Sequence, residues 1–464
     1  MYIMKDTKAT TTKLSTEAYK GVRDFFPEEM AVEKHIFSLW RTTVEKYGYE
    51  EYAASVLEPA ELYRAKTGDE IVNEQTYTFV DRGDREVTLR PEMTPTVARM
   101  VAARRRELPF PVRWYSIPNL FRYEQPQRGR VREHWQLNVD IFGVTSISAE
   151  IELINIAYDI TREYGLKNTD FEIRLSNRRL MNHLFLEVLK LDASTTHKIS
   201  KLIDRKAKMS ADVFLKEIAN ANSTSSVSAE TIVSIIEAKN IKDFMDKSGI
   251  AHDHPAIVEI EQTIDGLSAL GIKNARFDPT LMRGFDYYTG IIFEIFDLNP
   301  ENRRSVFGGG RYDDLLSLFG NDKVTAVGFG AGDMVAENLM ETYGKLEAIK
   351  AAHRPADIAL CTLGDDMTLQ SFALNLAASI REGGARVIID QSNKKTGDKI
   401  AATDKRHIPF VAIIGSNEME SGTISIKNLS TKEERSFNKE QYSTIASFIE
   451  SFVATFDIKF NGNK

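Results

Sequence analysis

The sequence is poor in cysteine, in long apolar runs and in surplus positive charge. Cys361 is the single cysteine among 464 residues, so no intrachain disulfide can form and we expect a reducing compartment. We find no run of about 18 apolar residues and no charged-then-apolar leader. We therefore expect a cytoplasmic protein with no membrane partner. The 67 acidic and 60 basic side chains give a formal charge of −7, so RNA would have to bind local basic patches.

The composition is that of a folded globular protein, with 42% hydrophobic and 27% charged residues. It excludes a mainly disordered chain, a collagen-like repeat and a small disulfide scaffold. A domain of about 150 residues is a usual size, so we expect two or three domains. Composition and periodicity along the chain predict a flexible tail over 1–20 and a main domain over 21–345 with a Lys-rich helical insertion over about 185–255. They also predict a domain over 355–464 in which strands and helices alternate. That alternation predicts a small, mainly parallel α/β domain.

Strand patterns dominate the first part of the main domain. Segments 76–80 and 86–90 predict a hairpin, and a helix is expected over 94–104. Segments 119–125 and 134–143 predict an antiparallel pair, because a short basic loop containing glycine joins them.

The densest polar motif lies between Leu120 and Gly143. Arg122 and Glu124 alternate on the first predicted strand, and Gln136 and Asp140 lie four residues apart on the second, so each pair shares a face. Polar side chains inside an apolar sheet are costly unless a ligand satisfies them. A solvated basic hairpin is the alternative interpretation. The turn between the strands is crowded with three further arginines: Arg128, Arg130 and Arg132.

Three shorter motifs carry weaker signals. Arg283 precedes the pair Tyr287-Tyr288, which is also typical of a turn with a tyrosine corner. The run Gly308–Gly310 would let a ligand approach the backbone closely, although such runs also form plain turns. In the segment LRPEMTPT, Thr94 is explained by a helix N-cap alone, and a ligand role for Glu92 needs further support.

Together and in this order, the segments GVRDFFP, LRPEMTPT, FRYEQPQRGR…HWQLNVDIFG, RGFDYYTG and FGGGRYD resemble the histidyl-tRNA synthetase family. The resemblance implies an α+β class II catalytic domain, an antiparallel sheet flanked by helices, with a helical insertion and a C-terminal α/β anticodon-binding domain. It also implies a homodimer formed through the early helix and strand. The substrates would be L-histidine, ATP and tRNA(His), with Mg²⁺ bound mainly through the ATP phosphates and no metal held by protein residues alone.

The resemblance also implies roles for single residues. Arg122 and Arg283 would be catalytic and would contact both the histidine carboxylate and the α-phosphate. ATP would further contact Glu124 and Arg132, and the tRNA acceptor end would contact Arg128 and Arg130. The remaining residues implied for histidine are Glu92, Thr94, Gln136, Asp140, Tyr287 and Tyr288.

One segment departs from the family pattern. The third class II motif usually reads glycine, any residue, glutamate, arginine, whereas this chain has Gly332-Asp333-Met334-Val335. The expected arginine is therefore absent, and Arg311 is a candidate to replace it at ATP.

Two alternative functions come from different classes. An inactive paralogue, such as the histidine-sensing regulatory subunit of ATP phosphoribosyltransferase, would share the core and usually lacks the domain at 355–464. An RNA-binding scaffold would have no use for a complete imidazole pocket. Both alternatives predict no histidine-dependent exchange of pyrophosphate into ATP.

Overall fold

The computed structural model describes residues 14–64, 75–125, 131–206, 209–223, 226–282, 287–302, 305–320 and 323–452. The chain divides into two compact units, Met1–Lys345 and Leu346–Lys464. Of the predicted tail, residues 1–13 lie outside the described ranges. None of the helices in these ranges combines the length and the apolar character needed to cross a membrane.

The first unit is built on a large mixed sheet. Within the described ranges its strand order is β1-β5-β7-β12-β11-β10-β8-β9, with β6 on β7, while β2-β4-β3 form a separate small sheet. The pairs β1–β5 and β8–β9 are parallel, and the other pairs are antiparallel. The strands are β1 (Glu50–Glu51), β2 (Leu57–Pro59), β3 (Tyr77–Val80), β4 (Glu86–Leu89), β5 (Val112–Ser116), β6 (Asn119–Phe121), β7 (Glu133–Phe142), β8 (Phe171–Asn177), β9 (Ala275–Phe277), β10 (Ile291–Asp297), β11 (Ser305–Arg311) and β12 (Ala326–Gly332).

Helices flank this sheet. The first begins at Pro27, where proline costs no hydrogen bond, and buries an apolar stripe that includes Ile36, Trp40 and Val44. The predicted hairpin is confirmed as β3–β4. The helices are α1 (Pro27–Glu45), α2 (Glu61–Arg64), α3 (Thr94–Ala103), α4 (Ser148–Glu163), α5 (Arg178–Asn182) with a following π-helix (His183–Val188), α6 (Ala193–Arg205), α7 (Ala211–Ala221), α8 (Ala229–Ile236), α9 (Ile241–Ser248), α10 (Pro255–Ala269) and α11 (Asp333–Thr342).

The Lys-rich stretch is helical, as its sequence predicts. Helices α6 to α9 each begin after a side chain that accepts a hydrogen bond from the first turn, and these caps are Asp192, Ser210, Ser228 and Asn240. The chain therefore enters and leaves this region between the sheet strands β8 and β9.

The second unit is an α/β sheet with the order β14-β13-β15-β16-β17. The three predicted strands are parallel, whereas β16 and β17 form an antiparallel hairpin that the sequence analysis does not predict. Its elements are α12 (Leu346–Ala352), β13 (Ile358–Thr362), α13 (Met367–Glu382), β14 (Val387–Asp390), α14 (Thr396–Lys405), β15 (Phe410–Ile414), α15 (Ser416–Ser421), β16 (Thr423–Asn428), β17 (Glu434–Asn438) and a 3₁₀ turn (Lys439–Thr444) that leads into helix over 445–452.

Candidate active site

Two adjacent cavities open on the sheet of the first unit, beside β7, β12 and the start of α3. They share Gln136 and Gly330, so a ligand in one would meet a ligand in the other. The small cavity, of about 70 Å³, is lined by Glu92, Thr94, Gln136, Asn138, Tyr287, Tyr288, Gly308, Tyr312, Gly328, Phe329 and Gly330. The large cavity, of about 300 Å³, is lined by Arg122, Glu124, Val131, His134, Gln136, Val306, Gly330, Gly332, Asp333, Met334 and Val335.

A buried acid lies next to the small cavity, although it is not among the residues that line it. Asp140 is near the C-terminal end of β7 and only 4% exposed, and its Oδ1 accepts a hydrogen bond of 2.5 Å from the hydroxyl of Tyr312, which does line the cavity. Burial raises the pKa of Asp140 to about 7, and the Tyr312 hydroxyl acts in the opposite direction. A ligand that donates a hydrogen bond to Asp140 would favour its ionised form.

The neighbouring strand leaves room for this acid because it carries glycine. Gly328 on β12 pairs directly with Asp140, and a Cβ at that position would lie 2.1 Å from Oδ1. Any side chain there would displace the carboxylate. In the Gly308–Gly310 run, a Cβ at Gly308 would lie 2.2 Å from the carbonyl oxygen of Phe293 on the next strand. These glycines therefore permit close strand packing as well as access to the cavity, since Gly308 also lines it.

Phenols and a second acid complete the small cavity. The Tyr287 hydroxyl donates to Oε2 of Glu92 at 3.1 Å, and both side chains are buried. Burial is the largest cause that raises the pKa of Tyr288, so this phenol stays protonated at neutral pH. The cavity is thus lined by one carboxyl group, that of Glu92, and by three phenols, those of Tyr287, Tyr288 and Tyr312. The Asp140 carboxyl lies next to it, hydrogen-bonded to Tyr312.

Thr94 lies at the cavity, but the expectation that it is a helix N-cap is wrong. Helix α3 begins at Thr94 itself, and the flanking residue is Met93, which makes no side-chain cap. Pro95 occupies the first turn and needs no hydrogen bond, which lowers the demand for a cap. The Thr94 side chain instead lines the cavity, where it hydrogen-bonds with the Tyr287 side chain.

The expected alternation of Arg122 and Glu124 on one strand is wrong, because β6 ends at Phe121. The backbone N–H of Glu124 donates to the carbonyl oxygen of Arg122 at 2.7 Å, which turns the chain there. Both side chains nevertheless line the large cavity. The Arg122 Nε donates to the Pro91 carbonyl at 2.9 Å, which anchors its guanidinium beside the cavity.

His134 contributes no positive charge to the large cavity. Burial, with help from the charges of Arg122 and Arg23, lowers its pKa to about 3. Among the described residues that line this cavity, Arg122 is therefore the one cation at neutral pH.

Arg132 is buried behind the large cavity and does not line it. Its Nη1 donates to the Tyr19 hydroxyl at 3.3 Å and to the Lys20 carbonyl at 3.2 Å, and its guanidinium stacks on the Tyr123 ring at 4.0 Å. Nε donates to the Glu124 carbonyl at 3.3 Å. These contacts are to neutral groups, so the charge remains available to an anion.

The Arg311 guanidinium is hydrogen-bonded to protein groups outside both cavities. It forms a paired ion contact with buried Glu150 at 2.6 and 2.7 Å, and it also donates to the Val144 and Ser146 carbonyls and to Asp313. It lines neither cavity, and five donor contacts use the whole guanidinium. The structure therefore lends no support to the prediction that Arg311 holds ATP.

Three predicted site residues, Arg128, Arg130 and Arg283, lie outside the described residues. Conversely, two polar residues that line the small cavity, Asn138 and Tyr312, are missing from the sequence-based prediction. Asn138 has the same strand parity as Gln136 and Asp140, so alternation along β7 signals it. Tyr312 directly follows the glycine run and Arg311, and this position is the one sequence feature that could have identified it as a cavity residue.

Comparison with known proteins points to one family. Residues 21–332 match the family model for histidyl-tRNA synthetase, and residues 357–448 match an anticodon binding domain. The histidine–tRNA ligase of Leptospira biflexa is 39% identical over 427 residues, which cover 92% of this chain and 96% of that protein. The ligase of Thermoplasma volcanium is 34% identical over 422 residues, covering 91% and 96%. The crystal structure of histidyl-tRNA synthetase from Nostoc sp. PCC 7120 has a TM-score of 0.77 and 22% identity, covering 95% of this chain and all of that one, which shows a common fold.

Proposed function

The chain belongs to the histidyl-tRNA synthetase family, and from that premise we propose how its residues divide the work of the reaction. It is a histidine–tRNA ligase that attaches L-histidine to tRNA(His) through a histidyl-adenylate, consuming ATP and releasing AMP and diphosphate. The inactive regulatory paralogue is the weaker alternative, because the match includes an anticodon binding domain and the relatives named above are ligases.

The small cavity would hold histidine. Glu92, Thr94 and Gln136 would receive the ammonium group, and Asp140 with Tyr288 would bind the two imidazole nitrogens, while Tyr287 lines the pocket. The burial of Asp140 supports this assignment, because a ligand that donates a hydrogen bond to a buried carboxyl binds more tightly than one that leaves it unpaired. Each polar group left unpaired by a different amino acid would weaken the binding free energy of that amino acid by about 1–3 kcal/mol.

The large cavity would hold ATP. Its contact with the small cavity at Gln136 and Gly330 would bring the histidine carboxylate to the α-phosphate. Arg122 would grip both groups, Glu124 would contact the adenine amino group, and Arg132 would bind the terminal phosphates. The neutral partners of Arg132 support that role, because a buried guanidinium is stabilised further by an anion.

The activation step would need alignment more than proton transfer. The histidine carboxylate is ionised at neutral pH, so no general base is required. Arg122 and Arg283, on opposite sides of the α-phosphate, would stabilise the charge that develops there. Mg²⁺ would be held mainly by ATP itself and would offset part of the negative charge of the phosphates.

The proposal extends to the tRNA contacts, the cellular location and the oligomeric state. Arg128 and Arg130 would approach the tRNA acceptor end, and the reaction would take place in the cytoplasm. A homodimer is supported by the small sheet β2-β4-β3, whose cross-strand register brings apolar side chains to one face. Leu57 and Phe79 on that face are 43% and 47% exposed, which favours burial against a second copy.

The observation that carries the proposal is the meeting of the two cavities at Gln136. The test is histidine-dependent exchange of labelled pyrophosphate into ATP by the purified protein without tRNA. We expect exchange with histidine alone among the amino acids, and we expect Arg283→Ala to abolish it while the fold is retained. Histidine binding without exchange would instead indicate the regulatory paralogue.

A further inference from the structure

The guanidinium of Arg132 is nearly buried, yet one of its nitrogens has no protein partner. An arginine side chain carries five N–H groups, one on Nε and two on each terminal nitrogen. Nε donates to the Glu124 carbonyl, and Nη1 donates to the Tyr19 hydroxyl at 3.3 Å and to the Lys20 carbonyl at 3.2 Å. Among the described residues no acceptor meets Nη2, although Arg132 is only 8% exposed. Nη2 is therefore the end of the guanidinium that is left for a ligand.

Arg132 lies at the outer end of a row of side chains along the wall of the large cavity. It directly precedes β7 and alternates there with His134 and Gln136, which both line the cavity. Across the hairpin, the backbone N–H of Arg122 donates to the Arg132 carbonyl at 2.9 Å. Arg122 and Val131 also line the cavity. We therefore expect an anion that extends outward past Arg122 to reach Arg132.

Three successive residues of the N-terminal segment are all bonded to Arg132. The Gly21 carbonyl accepts from its backbone N–H at 2.6 Å, and Lys20 and Tyr19 supply both acceptors of Nη1. The ring centroids of Tyr19 and Tyr123 lie 5.7 Å and 4.0 Å from the guanidinium carbon. An arginine side chain has many rotamers when it is unrestrained. The segment thus fixes the rotation of the guanidinium and determines that Nη2 is the unpaired end.

We propose that Tyr19 is a positioning residue for the triphosphate of ATP, which holds Arg132 with Nη2 directed to the phosphates. The inference rests on the assignment of the large cavity to ATP and of Arg132 to its terminal phosphates. A guanidinium that is already oriented binds phosphate more tightly, because less side-chain freedom is lost on binding. Tyr19 lines neither cavity, so its effect passes through Arg132. The alternative is that Arg132 only fastens the N-terminal segment to the hairpin.

The test compares ligands with and without terminal phosphates. Pyrophosphate exchange gives the KM for ATP, for pyrophosphate and for histidine, and calorimetry gives the affinity for a histidyl-adenylate analogue with a sulfamoyl link, which lacks those phosphates. Tyr19→Leu should raise the KM for ATP and for pyrophosphate about three- to tenfold, because it removes one hydrogen-bond partner of the guanidinium. The KM for histidine and the affinity for the analogue should stay within about twofold.

A double-mutant cycle tests whether Tyr19 acts through Arg132. Arg132→Gln should raise the KM for ATP and for pyrophosphate more than Tyr19→Leu does, and Tyr19→Leu should add nothing to it. An equal further rise in the double variant would overturn the inference. A loss of affinity for the analogue alongside the rise in KM would also overturn it, because a general disturbance of the site produces that result. Tyr19 is 60% exposed, so Tyr19→Leu should fold; should it not, Tyr19→Phe, which removes only the acceptor oxygen, carries the same expectation.

Tyr158→Leu is the matched control. The Tyr158 hydroxyl donates to Asn168 Oδ1 at 2.7 Å, and the residue lines neither cavity, so the KM for ATP should not change. A rise equal to that of Tyr19→Leu would overturn the inference, because the loss of any such tyrosine would then be sufficient. No exchange by the unmodified protein would refute the proposed function itself. Unchanged KM values in Arg132→Gln would refute the assignment of Arg132 to the phosphates, and unchanged values in Tyr19→Leu alone would refute only the role of Tyr19.

Discussion

Replacing Tyr312 by phenylalanine removes one hydroxyl from a buried position and leaves the ring in place. That hydroxyl donates to Asp140 Oδ1 at 2.5 Å and lowers the pKa of the carboxyl against the effect of burial. The ring packs edge-on against Phe142 and Tyr287, contacts that phenylalanine can keep. The substitution therefore tests the hydrogen bond with little change in packing.

The size of the effect follows from the charge of the acceptor. A hydrogen bond to a charged group contributes about 1.5–3 kcal/mol, which corresponds to a roughly 10- to 100-fold change in an equilibrium constant. In the variant the pKa of Asp140 should rise further above its value of about 7. At neutral pH the carboxyl would then be mostly protonated and would accept a hydrogen bond from imidazole more weakly.

The assay is histidine-dependent pyrophosphate exchange between pH 6 and 9, with direct histidine binding by calorimetry. About half of the Asp140 carboxyls are already protonated at pH 7 in the unmodified protein, so we expect the KM for histidine at neutral pH to rise roughly 5- to 50-fold and to fall again as the pH is raised. The KM for ATP should stay within about threefold. Tyr343→Phe is the matched control, because its hydroxyl donates to buried Asp297 at 2.7 Å away from both cavities. An unchanged KM and pH profile in Tyr312→Phe would refute the coupling of Tyr312 to histidine binding.

Three further predictions follow from the same contacts. Gly328→Ala should raise the KM for histidine more than about tenfold, since a Cβ there would lie 2.1 Å from Asp140 Oδ1, whereas Gly397→Ala in open space should change nothing. Arg311→Gln should lower the free energy of unfolding in urea by about 3–5 kcal/mol, because it leaves Glu150 buried and unpaired. A raised KM for ATP without that loss of stability would favour the predicted ATP contact instead. The folded-state pKa of Asp140, about 7, exceeds its ordinary value of about 4, so the folded state holds an extra proton and stability falls as pH rises across that window. Asp140→Asn should remove this part of the pH dependence. If the free energy of unfolding in urea changes with pH equally in the variant and the unmodified protein, the raised pKa is contradicted.

Local patterns were sufficient for the parts of the fold that depend on nearby residues. The apolar spacing of Ile36, Trp40 and Val44 marks α1, and alternation along β7 places Gln136 and Asp140, four residues apart, on one face. The order of the motifs predicted the class II fold and the family. These features follow from helical and strand periodicity or from residues that are close in the chain.

Strand limits and added strands depended on partners that periodicity does not reveal. Strand β6 ends at Phe121 because the chain turns at Arg122, where the sequence pattern continues to alternate. The hairpin β16–β17 is a second case, since β16 adds antiparallel to the edge of a parallel sheet. A strand exists only where a neighbour accepts its hydrogen bonds.

By itself the sequence determined the family and the set of candidate site residues, because the types and spacing of those residues are local. Only the tertiary structure decided how those side chains are paired. Tyr312 meets Asp140 across 172 positions of the chain, Arg311 meets Glu150 across 161, and Arg23 meets Asp333 across 310. Sheet order and register bring such distant residues together, and each pairing fixes whether an arginine or an acid is available to a ligand. The same residue types in another register would offer histidine and ATP a different set of charges.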